Sequence, residues 1–226
     1  MKTIILAAGK GSRLRPLTLK TPKPLLKIHG KTIIEYNLDR LPEEIDEIIF
    51  VINYLGEQIQ NYFGNQFGRF QISYVWQKKF LGTGDALWSC QEKLKNEKKF
   101  LVFNGDDIYT QTDIKKCLKH KRSLLAYQTK NSFKGGKIIL DSQNQLQDIM
   151  EGTHQAGNNL LNTGLYVLDN NIFKYKLRKT QDKDEFGLPQ TIIKMSRDFP
   201  MQVKLTKSWI SVGTLEDYEK AQKILS

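Results

Sequence analysis

Met1-Lys-Thr-Ile-Ile-Leu-Ala-Ala-Gly-Lys-Gly-Ser-Arg-Leu-Arg-Pro16 runs an apolar strand into a glycine-spaced basic loop. The first 34 residues carry eight basic side chains and no acidic one, and the first carboxylate is Glu35. Gly9 and Gly11 free backbone N–H groups to turn toward an anion, and Arg13 adds a planar fork for phosphate oxygens. Small Ala7 and Ala8 let a flat base or ribose approach the backbone. Lys23 is a point charge held between Pro22 and Pro24. The chemistry this order of residues suits is the holding of a polyphosphate.

Two common nucleotide motifs are excluded by spacing. No Gly-Lys-Ser/Thr closes a longer loop, so this is not a P-loop. The third glycine of a dinucleotide fingerprint would fall at position 14, which is Leu14.

The elements that must hold the loop follow from length and pattern. A chain of 226 residues suits one α/β domain with a real core. Hydrophobic residues make up 39% and charged residues 26%, the balance of an ordinary soluble chain. Strands are expected at Thr3–Ala8, Glu47–Asn53, Phe70–Trp76, Lys99–Asn104, Ser123–Thr129, Gly136–Leu140, Asn162–Leu168 and Gln202–Leu205. Helices are expected at Thr32–Leu41, Gly56–Phe63, Thr83–Leu94, Thr112–His120, Asn170–Lys176, Leu188–Arg197 and Thr214–Ile224, the last capped by Thr214 with Asp217. The first half alternates strand and helix with near-continuous apolar strands. That implies a Rossmann-like, mixed but mostly parallel sheet with helices on both faces, and antiparallel additions from the second half. Ligands then bind beyond the carboxyl ends of the strands, where the basic loop and Gly105-Asp106-Asp107 would meet. Residues 181–185 read as a polar loop rather than a domain boundary.

Composition narrows the partners. The formal net charge is +11, yet no nucleic-acid-binding signature accompanies the lysines, so nucleic acid is disfavoured as a partner. No apolar run reaches membrane-span length and no signal h-region precedes the loop, which leads to a cytoplasmic expectation. Cys90 and Cys117 lack a ligand set and read as buried thiols, and the three histidines show no metal-ligand spacing.

Further motifs recur in order along the chain: Gln77, Leu81-Gly82-Thr83-Gly84-Asp85-Ala86, Asn104-Gly105-Asp106, Glu151, Asn162-Thr163-Gly164, Phe186-Gly187-Leu188-Pro189 and Trp209-Ile210-Ser211-Val212-Gly213-Thr214. With the basic loop and Pro22-Lys23-Pro24, this set resembles the nucleotidyltransferases that make nucleotide sugars from a nucleoside triphosphate and a sugar 1-phosphate. The resemblance spans residues 1–226 as one catalytic domain, without the C-terminal β-helix of longer relatives.

The resemblance implies a division of labour. Leu6, Ala7, Ala8, Gly9, Gly11, Ser12 and Arg13 line the nucleotide, with Gln77, Gly82 and Thr83 at the base. Gln77 then favours uracil or thymine, so UTP or dTTP is expected. Gly136, Glu151, Asn162 and Thr163 face the sugar, expected to be glucose or an N-acetylated amino sugar. Arg13 stabilises the departing pyrophosphate, Lys23 contacts phosphates on the attacking side, and Asp106 holds Mg²⁺. Two departures stand out. Ser211 occupies the place of a second metal-binding aspartate, so either Asp107 compensates or the metal is held by one aspartate, the nucleotide and water. Gly152 occupies the place of a phosphate-binding lysine. The alternatives are a guanylyl- or cytidylyltransferase of the same fold, or a catalytically weak sensing subunit. A homo-oligomer is compatible with either.

Overall fold

The computed structural model describes residues 1–180 and 184–225, so most of the polar loop expected over 181–185 lies outside the described residues. The strands are β1 (Lys2–Leu6), β2 (Lys27–Ile28), β3 (Lys31–Thr32), β4 (Glu47–Ile52), β5 (Gln66–Phe67), β6 (Phe70–Trp76) and β7 (Phe100–Asn104). They continue with β8 (Asp107–Ile108), β9 (Ser123–Thr129), β10 (Phe133–Leu140), β11 (Leu146–His154), β12 (Asn159–Leu168), β13 (Gln202–Thr206) and β14 (Ile210–Ser211). The helices are α1 (Ile33–Leu38), α2 (Gly56–Phe63), α3 (Gly82–Trp88), α4 (Gln91–Leu94), α5 (Gln111–Leu118), α6 (Leu188–Ser196) and α7 (Leu215–Ile224).

Ten strands form one sheet in the order β11-β10-β12-β7-β1-β4-β6-β5, with β9 beside β12 and β13 beside β9. Its centre, β7-β1-β4-β6, is parallel. The second half of the chain joins through antiparallel β12 on β7 and the β10–β11 hairpin. This is the mixed α/β architecture that the alternation of apolar strands and amphipathic helices implies.

Period-two geometry explains the layers. Ile5, Phe50 and Phe103 pack on one side with Ile34, Leu38, Ile59, Phe63 and Ile114, so α1, α2 and α5 cover that face. Ile4, Val51 and Val102 pack on the other with Ala86, Leu87, Leu94, Ile192 and Met195, from α3, α4 and α6. Each fully buried aliphatic side chain here contributes about 1.5–3 kcal/mol of transfer free energy. A third cluster joins Leu14, Leu26, Ile28, Ile33, Ile108, Val212 and Ala221, and it anchors the basic loop onto α7. Both cysteines are buried free thiols, pushed up to about 12 by desolvation.

Local chemistry sets the helix ends. A capping box starts α1: Glu35 N donates to Thr32 Oγ1 at 3.2 Å, and Thr32 N donates to Glu35 Oε2 at 2.7 Å. Thr214 caps α7 by accepting from Asp217 N at 3.2 Å. The helix expected over Thr83–Leu94 is broken in two. Ser89 stands at the end of α3, where its N–H and its hydroxyl both donate to Asp85 O at 3.0 Å. The segment after Asp169 is a 3-10 helix over Asn170–Lys174, because the Asp169 carboxylate takes Asn171 N at 3.1 Å and tightens the turn. β11 was not expected from the sequence. Only Leu146 and Ile149 along it are buried, so its apolar signal is weak.

One buried amide fixes β8 against α1. Asn37 is fully buried. Its Nδ2 donates to Asp107 O at 2.7 Å and its Oδ1 accepts from Tyr109 N at 3.1 Å. Asn37→Leu leaves that carbonyl and that N–H without partners. It should cost about 2–4 kcal/mol. A urea titration should show a lowered midpoint with an unchanged slope.

Candidate active site

The basic loop leaves β1 at the carboxyl edge of the parallel strands. Ala7 N donates to Val51 O at 2.8 Å, so the chain is still tied to β4 there, and Ala7 and Ala8 are buried. Leu6 ends β1, and its carbonyl accepts from Gly105 N at 2.9 Å, which draws the Gly105-Asp106 turn to the loop. Gly11 has φ +61°, and a Cβ there would meet Thr18 Cγ2 at 2.9 Å, so only glycine fits on both counts. Thr18 Oγ1 donates to Gly11 O at 2.8 Å and holds the turn. Around Gly9 no atom lies within 4 Å of a built Cβ, so its backbone faces open space. Ser12 and Arg13 are exposed, while Leu14 beneath them is fully buried in the third cluster.

Lys23 is 6% exposed, and its ammonium pairs with the Asp106 carboxylate. The structure therefore brings together the basic segment and the strand-end carboxylate that the sequence places 83 residues apart. Arg13 extends toward the loop after β14, where a Cβ on Gly213 would lie 3.7 Å from Arg13 Nη2 and 3.6 Å from Ser211 Oγ.

Asp107 takes a different position from Asp106. It is 5% exposed and lies opposite Ser211 in the β8–β14 pair. The Tyr109 hydroxyl oxygen lies 3.4 Å from its Oδ2. Desolvation pushes the Asp107 carboxyl well above the usual range, and the neighbouring Asp106 charge adds to it. Lys23 and hydrogen bonds from Ser211 and Asn104 oppose that shift. Asp107 thus faces β14, with its carboxyl sealed among side chains.

The residues expected at the base also converge. Gln77 is 4% exposed, and its Nε2 donates to Gly82 O at 3.0 Å and to Asp85 Oδ2 at 2.8 Å. Lys10 Nζ lies 4.5 Å over the Phe80 ring, which joins this turn to the basic loop. Thr83 Oγ1 is engaged elsewhere and accepts from Leu188 N at 3.0 Å. Gly84 N donates to Phe186 O at 2.8 Å, so α3 and the start of α6 are locked together.

Three of the expected sugar contacts lie together. A Cβ on Gly136 would lie 2.7 Å from Ile149 Cγ2, 3.1 Å from Glu151 Oε1 and 3.5 Å from Asn162 Cβ, so the strand packs closely there and a side chain would press on Glu151. Burial raises the Glu151 carboxyl above its ordinary value, opposed by a hydrogen bond from Gln190 and the nearby His154. Asn162 spends its amide internally: Nδ2 donates to Tyr166 OH at 2.7 Å, and Oδ1 accepts from Gly164 N at 3.2 Å. Thr163 turns inward. It is 1% exposed, and its Oγ1 donates to Leu125 O at 2.9 Å while its carbonyl accepts from Tyr109 OH at 2.8 Å. A separate open cleft of about 650 Å³, lined by Glu97, Lys98, Lys99, Lys121 and Asp169–Asn171, contains none of these groups.

Asp85 and Gln190 were missed in the sequence. Asp85 sits inside a quoted motif, one helical turn past Gly82, and that spacing to Gln77 was the available signal. Gln190 carried none, because only the fold brings α6 beside Glu151. Among the described residues no cluster of three or more His, Cys, Asp or Glu side chains could hold a metal ion. No described helix is long and apolar enough to cross a membrane.

A basic glycine loop, a buried lysine and a strand-end carboxylate meet at one sheet edge of this α/β fold. Comparison with known proteins agrees. The sequence profile of the nucleotidyl transferase family matches residues 2–226, and the chain belongs to that family. It is 33% identical over 227 residues to the bifunctional protein GlmU of Methanocaldococcus jannaschii, a match that covers all of this chain and 54% of that protein. It therefore spans about half the length of that relative. It is 31% identical over 189 residues to the D-glycero-alpha-D-manno-heptose 1-phosphate guanylyltransferase of Campylobacter jejuni, covering 82% of this chain and 84% of that one. Among solved structures, a UDP-glucose pyrophosphorylase complexed with UDP-glucose matches at TM-score 0.79 and 19% identity, covering 99% of this chain and 97% of that one. That likeness is one of fold.

Burial of Asp107 has a pH signature. Its folded-state carboxyl titrates above its unfolded value, so ionisation disfavours the fold. The stability it contributes is full below about pH 4, the ordinary range, and is lost as pH rises through the folded value. Asp107→Asn, in the absence of metal, should raise the thermal midpoint by a few degrees at about pH 8. The gain should shrink steadily toward acid in a calorimetric pH series.

Proposed function

We propose that this chain transfers a nucleotidyl group from a nucleoside triphosphate to a sugar 1-phosphate and releases pyrophosphate. The observation that carries it is the meeting of the open Gly9–Arg13 loop with Lys23 and Asp106 at one sheet edge. A sugar-phosphate oxygen attacks the α-phosphorus, and the bond to the oxygen bridging to the β-phosphorus breaks. That oxygen leaves with pyrophosphate. The nucleophile is already an anion, so no serine or histidine is needed to activate it. What the protein must supply is alignment of two anions and stabilisation of the leaving charge.

The loop amides and Arg13 would take the β- and γ-phosphates. Lys23, released from Asp106, would hold phosphate oxygens on the attacking side. Its buried stem limits where the ammonium can point. Glu151 would accept from sugar hydroxyls beside Gly136, which suits glucose or an N-acetylated amino sugar.

Asp106 fits a divalent cation in one respect. Its carboxylate already carries a positive partner in Lys23, so positive charge is favoured at that spot. With no three-ligand cluster among the described residues, Mg²⁺ would be held by Asp106 together with triphosphate oxygens, which suits its coordination habits. When bound it would neutralise phosphate charge. Asp107 would contribute only after its side chain is exposed.

For the base, Gln77 leaves a carbonyl oxygen to accept a ring N–H. Uracil and thymine offer one, and UTP or dTTP is the preferred triphosphate. Guanine offers one too. The guanylyltransferase relative, matched over most of its length, makes GTP the second reading.

A pyrophosphate-release screen tests the proposal: UTP, dTTP, GTP, CTP and ATP against a panel of sugar 1-phosphates with Mg²⁺. Release with one nucleotide–sugar pair is expected. No release with any pair promotes the sensing-subunit alternative. With the active pair, Arg13→Ala should lower kcat by roughly 10²-fold, and Arg13→Lys should restore little, since an ammonium cannot reproduce the fork. Asp106→Asn should abolish turnover at millimolar Mg²⁺ while leaving the circular dichroism spectrum unchanged. Full activity in that variant would move the metal elsewhere.

A further inference from the structure

The Gln77 carboxamide is held more rigidly than a base-reading group needs for its own sake. Its backbone is clamped on both sides: Gln77 N donates to Ile52 O at 3.0 Å, and Gln77 O accepts from Asn53 Nδ2 at 2.5 Å. Its side-chain NH₂ has two hydrogens, and both are consumed. One goes to Gly82 O at 3.0 Å and one to Asp85 Oδ2 at 2.8 Å. A carbonyl and an ionised carboxylate can only accept. Rotating the amide by half a turn would lose both bonds and set Oε1 against two other oxygens. The orientation is therefore dictated by chemistry. The outward-facing atom is Oε1, to which nothing among the described residues donates, and it is not one of the sealed, unpartnered side-chain atoms.

Asp85 supplies the deciding half of that lock. A backbone carbonyl such as Gly82 O is available at many turns, but a carboxylate excludes the flipped amide through its charge. Asp85 lies in the first turn of α3, where side chains lean toward the helix start and negative charge is favoured. Gln77 is its only side-chain hydrogen-bond partner among the described residues.

We propose that Asp85 is a positioning residue for base selection: it fixes Gln77 as an acceptor only, so the site selects bases with a ring N–H on the pairing edge. Uracil and thymine at N3 and guanine at N1 are donors there. Cytosine at N3 and adenine at N1 are acceptors and would meet Oε1 oxygen to nitrogen lone pair. Selection is thus lactam against amidine, rather than pyrimidine against purine. This rests on the nucleotidyl-transfer reading of the site, and it names the chemical class of triphosphate that the site takes.

The test is equilibrium binding of UTP, dTTP, GTP, CTP and ATP by calorimetry, with inorganic tripolyphosphate as a base-free control. The wild type should bind at least one of UTP, dTTP or GTP about tenfold or more tighter than CTP and ATP. Asp85→Ala frees the amide to turn. It should shrink that ratio by about tenfold, through weaker binding of the favoured nucleotide and tighter binding of CTP, with tripolyphosphate unchanged. Asp85→Asn, close in size to the original, should also shrink the ratio, because its amide can donate to a turned Gln77 as well as accept from it, and an unchanged ratio there would overturn the proposal. An equal loss for all nucleotides in Asp85→Ala would mark a purely structural role and overturn the proposal. A wild type that binds tripolyphosphate but prefers CTP, ATP or no base would also overturn it while leaving phosphate handling intact. A wild type that binds neither nucleotides nor tripolyphosphate would overturn the underlying reading as well.

Discussion

A lysine ammonium can be buried only where an opposite charge answers it. Lys23 is answered by Asp106, and much of the site geometry follows from that pair. The chain leaves β1 at Leu6 and must return to the end of β7 by residue 23. The path between is the basic loop. Its tight turn at Gly11, its tie through Thr18 and the buried plug of Leu14 are what make that return short. The prolines on either side of Lys23 limit its backbone, and a 3-10 turn over Lys23–Leu25 completes the approach. The pair also leaves both groups neutralised by one another in the ligand-free protein. Any anion that claims Lys23 frees a carboxylate for a cation in the same movement. Two ligands of opposite charge are thereby coupled through one contact.

The strands that build this edge were legible because they are interior. β1, β4 and β7 are flanked on both sides and covered on both faces, so nearly every position is apolar. β11 is at the sheet margin and covered mainly by α6, and its sequence from Leu146 to His154 looks polar. The break between α3 and α4 was hidden for a different reason. No glycine or proline marks it, and Ser89 at the break still makes its helical N–H bond to Asp85 O. At the site, the loop, Lys23 and Asp106 could be read because their residue types are unusual for their positions. Orientation could not. Asp106 and Asp107 are adjacent and chemically identical, and only the pleat decides that one is open and the other sealed against Ser211. Thr163 and Asn162 show the same ambiguity, resolved by partners on β9 and within β12.

The residues expected at the base and at the sugar differ in how they use amides. Gln77 is committed by protein partners and keeps one acceptor free. Asn162 spends its oxygen and one N–H within its own strand, and Gln190 bonds to Glu151. Thr83 Oγ1 and Phe186 O link the two sides through the start of α6. That gives the halves of the cleft a shared backbone seam.

The third hydrophobic cluster carries a consequence for how the protein is made. Leu14 and Ile28 rest on Val212 and Ala221, and His29 Nε2 contacts Gln222 O at 2.7 Å across 193 positions of sequence. Tyr218 OH closes on Lys27 O across 191. Contacts this distant are late to form, because loop closure over so many residues must come first. During synthesis the basic loop leaves the ribosome well before its floor on α7 does. Its charges sit on a segment without that floor until α7 follows, so the docking of α7 is the step that orders the loop.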